Sequence, residues 1–307
     1  MNWLEFFQGG WGIALIALLG LMVGSFLNVV VYRLPVMMDR EEKAYAWEVL
    51  HGEESALQNP CQTVESVSAW QQLRKMANPF VGERFNLAVP ASRCPHCKTE
   101  IRAWQNIPVF SYLYQGGKCV ACRVPITSRY VWVEILCAVL SVLVVLRFPD
   151  PSQLWLALLL TWCLLALFFI DAETQYLPDA ITLPLMWLGI MAAWWGSGVF
   201  VGLKASVLGA ALGYLSLWSV YWLFKIFTGK EGMGYGDFKL LAVLCAWQGI
   251  SVLPFILFGS ALVGLIFGVV QKVGFGKPMA FGPYLILAGW VSFMYGEQIL
   301  PLLGFQY

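Results

Sequence analysis

The chain alternates between long apolar runs and short polar breaks. A helix needs about 20 mostly apolar residues to cross a bilayer, and the first such run covers 11–34. It is predicted to stop at Pro35, because proline removes a backbone donor and clashes with the preceding turn. Seven more runs follow, at 130–147, 153–170, 180–197, 204–226, 237–250, 253–272 and 281–303. The run at 237–250 is short and bounded by Gly249, so it is expected to tilt or break. The pattern predicts an all-α polytopic membrane protein with about eight transmembrane helices, and seven is the competing count. The first run is not expected to be a cleavable signal, since Glu5 and no Lys or Arg precedes it.

Composition sharpens this picture. Charged residues make up 12% of the 307 positions, against about 25% in a soluble domain. A mean hydropathy of +0.69 excludes both a water-soluble enzyme and a disordered chain. Charge is concentrated: residues 33–129 hold 12 of the 19 Lys and Arg and 9 of the 18 Asp and Glu. The expected organisation is therefore a first span (1–34), a cytoplasmic loop (35–129) and a transmembrane domain (130–307). Basic loop residues favour the cytoplasm. With the N-terminus outside, 17 Lys and Arg fall inside, leaving Arg147 and Lys204 outside. The short loops alone divide five against two in the same sense. No internal repeat is evident, and the glycines are dispersed through the spans.

Within the polar loop, Cys94-Pro-His-Cys97 and Cys119-Val-Ala-Cys122 are separated by 21 residues. Each pair can present two thiolates from a tight turn, and two such turns close a tetrahedron around zinc. Gly116-Gly117-Lys118 suits a ribbon-type turn into the second pair. Four sulfurs leave no open position, so a structural site is expected, with His96 a bystander. Reduced or redox-active pairs are the alternative, and a cytoplasmic setting disfavours disulfides. Cys61, Cys137, Cys163 and Cys245 are isolated, and His51 reads as a solvent-exposed side chain.

Acids within or beside spans are costly and point to function. Glu134, Asp171, Glu173, Asp179 and Asp237 qualify. The predicted topology brings Asp171 and Asp237, 66 residues apart, to one membrane face. Two neighbouring carboxylates cannot easily both ionise; one keeps a proton and the other acts as base. Such a pair can activate water against a peptide carbonyl without a metal or covalent intermediate. Gly234 and Gly236 allow positive φ and close backbone approach, so a substrate backbone could lie against that segment. Helix capping by Asp237 competes with a catalytic role, and Asp171 and Asp179 can equally be interfacial turn residues. A proton-coupled transporter would show similar acids, although no repeat around a midplane site is visible. A scaffold whose zinc module binds partners is a third possibility.

Several motifs go further. Gly24-Ser-Phe-Leu-Asn-Val-Val-Val-Tyr-Arg33-Leu-Pro35 closes the first span. Pro90-Ala-Ser-Arg-Cys94-Pro-His-Cys97 and Asn106-Ile-Pro-Val-Phe-Ser-Tyr112 follow. Then come Asp171 through Leu177-Pro-Asp179, Gly234-Tyr-Gly-Asp237-Phe-Lys239-Leu and Phe281-Gly-Pro283. In this order they resemble the type IV prepilin peptidases, over nearly the whole chain except about 39–85. The resemblance implies a bifunctional enzyme of the bacterial inner membrane. It would cleave the leader of type IV prepilins or type II secretion pseudopilins after a Gly on the cytoplasmic side. It would then N-methylate the new N-terminus, usually Phe, from S-adenosylmethionine. The family's catalytic aspartates fall on Asp171 and Asp237, its zinc ligands on Cys94, Cys97, Cys119 and Cys122, and Asp179, Gly234 and Gly236 are supporting candidates. Arg129-Tyr130-Val131 stands where relatives often have Arg-Tyr-Pro. No Gly-x-Gly-x-x-Gly marks an S-adenosylmethionine site. Substrate pilins and the lipid bilayer are the expected partners, and nucleic acid is not.

Overall fold

A computed structural model describes residues 9–52, 84–195, 200–230, 232–270 and 280–302. Cys61 and most of the 39–85 polar segment lie outside the described residues. The fold is all-helical, with only two isolated backbone bridges among the described residues. The helices are α1 (Gly10–Gly52), the short α2 (Phe110–Tyr114), α3 (Arg129–Arg147), α4 (Pro151–Thr174), α5 (Asp179–Trp194), α6 (Leu203–Thr228), α7 (Tyr235–Gln248), α8 (Leu253–Val270) and α9 (Gly282–Leu302). Eight of these correspond to the eight predicted runs. The helices α1, α3, α4 and α6, with α8 and its leading turn, are long and apolar enough to cross a membrane.

One expectation is corrected. The first helix does not stop at Pro35 but continues to Gly52. Proline forfeits one i→i−4 hydrogen bond, and the good helix formers after it, Met37-Met38 and Arg40-Glu-Glu-Lys43-Ala, carry the helix onward. An Asp39–Lys43 ion pair at 2.8 Å adds support one turn apart.

The chain divides into two compact units, one of Tyr32–Ile101 and the other of the remaining residues. In the smaller unit the buried Arg33 is the organiser. Its guanidinium donates to the carbonyl oxygens of Asn86 at 2.9 Å and Pro90 at 2.7 Å. Arg33 and Arg40 both lie over the Phe85 ring.

In the larger unit α7 is the axis. From Asp237 to Gln248 every residue except Lys239 is buried. At 14 residues this helix is about 21 Å long, less than the ~30 Å hydrocarbon core. Enclosure explains its shortness: neighbouring helices, not lipid, surround it. It ends where Gly249 takes φ +83°, and a short turn at Ile250–Val252 leads into α8. The apolar side chains of the outer helices point the other way, with Phe227 on α6 and Phe258 on α8 exposed for lipid.

Glycines let the backbones meet, as small residues do in membrane helix packing. A Cβ on Gly209 of α6 would collide with the Cys245 carbonyl oxygen of α7, and one on Gly24 of α1 would lie 2.7 Å from Glu134 Cα of α3. The apparent scatter of glycines in the sequence is thus a set of helix-crossing points. Gly209→Ala is expected to destabilise the fold by about 1–3 kcal/mol, while Gly202→Ala, with open space around it, is not. Thermal melting of the two variants in detergent checks this, and equal midpoints would contradict the packing.

Candidate active site and candidate metal centre

The predicted acidic pair meets at one end of the larger unit. Asp171 sits in the last turn of α4, which closes on a left-handed Gln175 whose N–H bonds the Asp171 carbonyl at 2.8 Å. Asp237 lies in the first turn of α7, where Gly234 takes the capping position. Asp237 is therefore not the helix cap. Both carboxyl groups are buried, 4% and 8% exposed, which sets them apart from ordinary interfacial acids. They are close enough for their charges to act on one another. The Gly282 N–H, at the start of α9, is directed at Asp171, while Asp171 Oδ2 has no hydrogen-bond partner.

The glycine expectations are partly corrected. Gly234 has φ −81°, and Gly236 lies within α7, so neither uses positive φ. Close approach does hold for Gly236, where a Cβ would come within 2.9 Å of Leu177 Cβ. Gly234 has open space around it. The residue missed by sequence reasoning is Gly282. A Cβ there would lie 2.5 Å from Asp171 Oδ2 and 3.3 Å from Leu177 Cδ1. Only glycine fits over the carboxylate, and its sole sequence signal was the Phe281-Gly-Pro283 motif.

The other acids at this end have partners. Asp179, at the start of α5, receives Lys239 Nζ on both carboxylate oxygens at 2.7 Å. Lys239 thus links α7 to the start of α5. Glu173 pairs with Arg129, joining the end of α4 to the start of α3. Glu134, on α3 and 7% exposed, accepts the Val109 N–H at 2.8 Å. A cavity of about 90 Å³ lined by Arg147, Trp247, Gln248 and Glu297 opens at the opposite helix ends, away from the acidic pair.

The cysteines form two turns of the same design. In the first, Lys98 N–H bonds the Cys94 carbonyl and Cys94 N–H bonds the Thr99 carbonyl, both at 2.9 Å. In the second, Arg123 N–H bonds the Cys119 carbonyl and Cys119 N–H bonds the Val124 carbonyl, again at 2.9 Å. Lys98 and Arg123, each just after its second cysteine, adopt φ of 60° and 59°. This is a local repeat that the sequence alone did not display. Gly116 and Gly117 take positive φ before the second turn, as the ribbon expectation required. The sulfurs of Cys94, Cys97, Cys119 and Cys122 all lie within 4.8 Å of one another. Tetrahedral zinc with Zn–S bonds of about 2.3 Å needs S···S separations near ~3.8 Å, so this cluster could hold a metal ion with small adjustment. His96 is not part of the cluster. The thiols of Cys137 and Cys245 are buried among apolar side chains, as expected of isolated span cysteines.

Known proteins share this arrangement along the chain. Residues 18–148 match the Bacterial Peptidase A24 N-terminal domain, which takes in the four cysteines, and residues 158–269 match the Type IV leader peptidase family, which takes in Asp171 and Asp237. The Prepilin leader peptidase/N-methyltransferase of Dichelobacter nodosus is 56% identical over 301 residues, covering 98% of each chain. The protein of the same name from Stutzerimonas stutzeri is 48% identical, covering 92% of this chain and 90% of its own. That from Neisseria gonorrhoeae is 46% identical, covering 94% and 92%. No solved structure matches. With near-complete coverage at this identity, and with the acids and cysteines inside the matched segments, the chain belongs to the prepilin leader peptidase/N-methyltransferase family of multi-pass membrane enzymes.

Proposed function

We propose that this protein cleaves the leader peptide of type IV prepilins or type II secretion pseudopilins and N-methylates the exposed N-terminus, with Asp171 and Asp237 as the water-activating pair. The carrying observation is the burial of two interacting carboxylates at one helix end, with Asp171 Oδ2 unpartnered. One carboxylate takes a proton from water as it attacks the peptide carbonyl. The other, protonated, hydrogen-bonds the developing oxyanion and supplies a proton to the leaving amine. Gly282 and Gly236 keep the space over the pair free of side chains, and the Gly282 N–H orients Asp171. Asp179 and Lys239 tie α5 to α7 beside this pair. They are supporting residues, as is Gly234, whose open surroundings leave room for an extended substrate.

The four thiolates bind one structural zinc, which supplies folding free energy to a loop too small to bury a large core. The methyl donor is S-adenosylmethionine. The protein lies in the bacterial inner membrane with the acidic pair toward the cytoplasm, as the basic loops favour. Residues 35–129 form the cytoplasmic loop, and 130–307 form the peptidase domain.

Cleavage assays in detergent, followed by radiolabelled methyl transfer, test the reading. Asp171→Asn and Asp237→Asn should leave methylation of a pre-cleaved substrate largely intact. Parallel loss of both activities in folded protein would show a shared site and overturn the division of labour.

A further inference from the structure

Resting on the reading that the chain N-methylates its cleaved substrate, we infer that Glu134, with Asn28 and Ser25, receives the new N-terminal ammonium, and that the exposed face of α2 receives the apolar residues behind it. Glu134 and Asn28 are 7% and 8% exposed, at the α1–α3 crossing. Among the described residues no Lys or Arg forms an ion pair with Glu134, since Arg129 is engaged by Glu173. A buried carboxylate without a cation is costly. Beside it, Asn28 Nδ2 donates to the Tyr130 carbonyl at 3.0 Å, one turn before Glu134, while Asn28 Oδ1 is buried without a partner. The Ser25 hydroxyl has one proton and two acceptors in reach, the Glu134 carboxylate and the Asn106 carbonyl at 3.3 Å, so it can satisfy only one of them. Even with the Val109 N–H and the Ser25 hydroxyl, acceptors outnumber donors in this cluster and Asn28 Oδ1 stays unpartnered; a primary ammonium offers three donors and a positive charge.

The second observation is the neighbouring segment. The Val109 N–H is held by Glu134, and Val109 adopts φ 57°, ψ −49° as the residue that opens α2. A β-branched residue at positive φ is strained, and such strain gathers at functional sites. Directly after it, Phe110, Leu113 and Tyr114 are 65%, 70% and 76% exposed, with Phe110 and Tyr114 stacked. A charge acceptor beside an exposed aromatic ledge matches a chain end that is cationic at its amine and apolar beyond.

The chemistry balances. Glu134 accepts one proton from the ammonium. The freed nitrogen lone pair forms the new N–C bond as the methyl C–S bond of the sulfonium donor breaks, and the C–S electron pair stays on sulfur as a neutral thioether.

The test uses a pre-cleaved peptide beginning with Phe, and its N-acetylated counterpart, with full-length enzyme in detergent. Wild-type enzyme should bind the free-amine peptide about 10- to 100-fold more tightly. Glu134→Gln should abolish that preference without weakening the acetylated peptide, and lower methyl transfer by about 10²–10⁴. A surviving preference, or unchanged methyl transfer, overturns the inference, because Gln replaces a purely structural, neutral Glu134 well. Phe110→Ala, at an exposed position, gives an independent reading: both peptides should weaken by about tenfold, and unchanged affinity removes the ledge. Should wild-type enzyme transfer no methyl group to the free-amine peptide, the bifunctional reading itself fails, which is a distinct result.

Discussion

Asp171→Asn and Asp237→Asn should each lower prepilin cleavage by at least roughly a thousandfold, in protein that still folds. Asn keeps the shape of the side chain but cannot exchange the proton on which a two-carboxylate mechanism depends. Loss of either partner should be nearly complete, because each supplies a different half of the proton traffic. The neighbouring acids set the contrast. Asp179 pairs with Lys239 and is about half exposed, so Asp179→Asn removes an ion pair worth about 0–1 kcal/mol and should keep measurable turnover. Glu173→Gln breaks only the Arg129 contact and should behave similarly. Substantial cleavage by Asp171→Asn or Asp237→Asn would remove the assignment. Gly282→Ala adds a geometric check: its methyl would press on Asp171 Oδ2 at 2.5 Å, so activity should fall although no ionisable group changes.

Changing Cys94 and Cys97 together to Ser should strip the metal from the protein. Four thiolates converge within 4.8 Å, and removing two leaves too few ligands for a closed tetrahedral site. Structural zinc sites contribute apparent binding free energies of about 10–16 kcal/mol at neutral pH. The expected phenotype is therefore a large loss of folded protein. Elemental analysis of purified wild-type enzyme should give one zinc per chain. Metal content that survives the double substitution would exclude the cluster as its site. A chelator should mimic the substitution and be reversed by added zinc, which separates metal loss from a side effect of serine.

Some of this was legible along the chain because bilayer physics is local. Backbone groups in hydrocarbon must bond within their own segment, so helices announce themselves as apolar runs. Helices α3 to α9, the short α2 aside, begin and end close to the predicted limits. The paired Cys-x-x-Cys spacing pointed to a metal site for a similar reason, since each turn is made within six residues. The exception was Pro35, where a local rule for stopping a helix lost to the helix formers that follow it. Gly234 and Gly236 show a second limit: a glycine signals freedom, but not whether positive φ or mere absence of a Cβ is used.

What the chain alone determined was the inventory: eight apolar helices, four thiols in two pairs, and a few acids at predicted span ends. Tertiary structure decided which of those acids have partners. It gave Lys239 to Asp179 and Arg129 to Glu173, and it left Asp171 Oδ2 buried without a hydrogen bond. It buried the short α7 from Phe238 onward, Lys239 excepted, and brought Gly282 over the Asp171 carboxylate. Burial and pairing depend on residues far apart in sequence, and for carboxylates in a low-dielectric interior those two quantities govern chemistry. Periodicity and spacing carry no information about them.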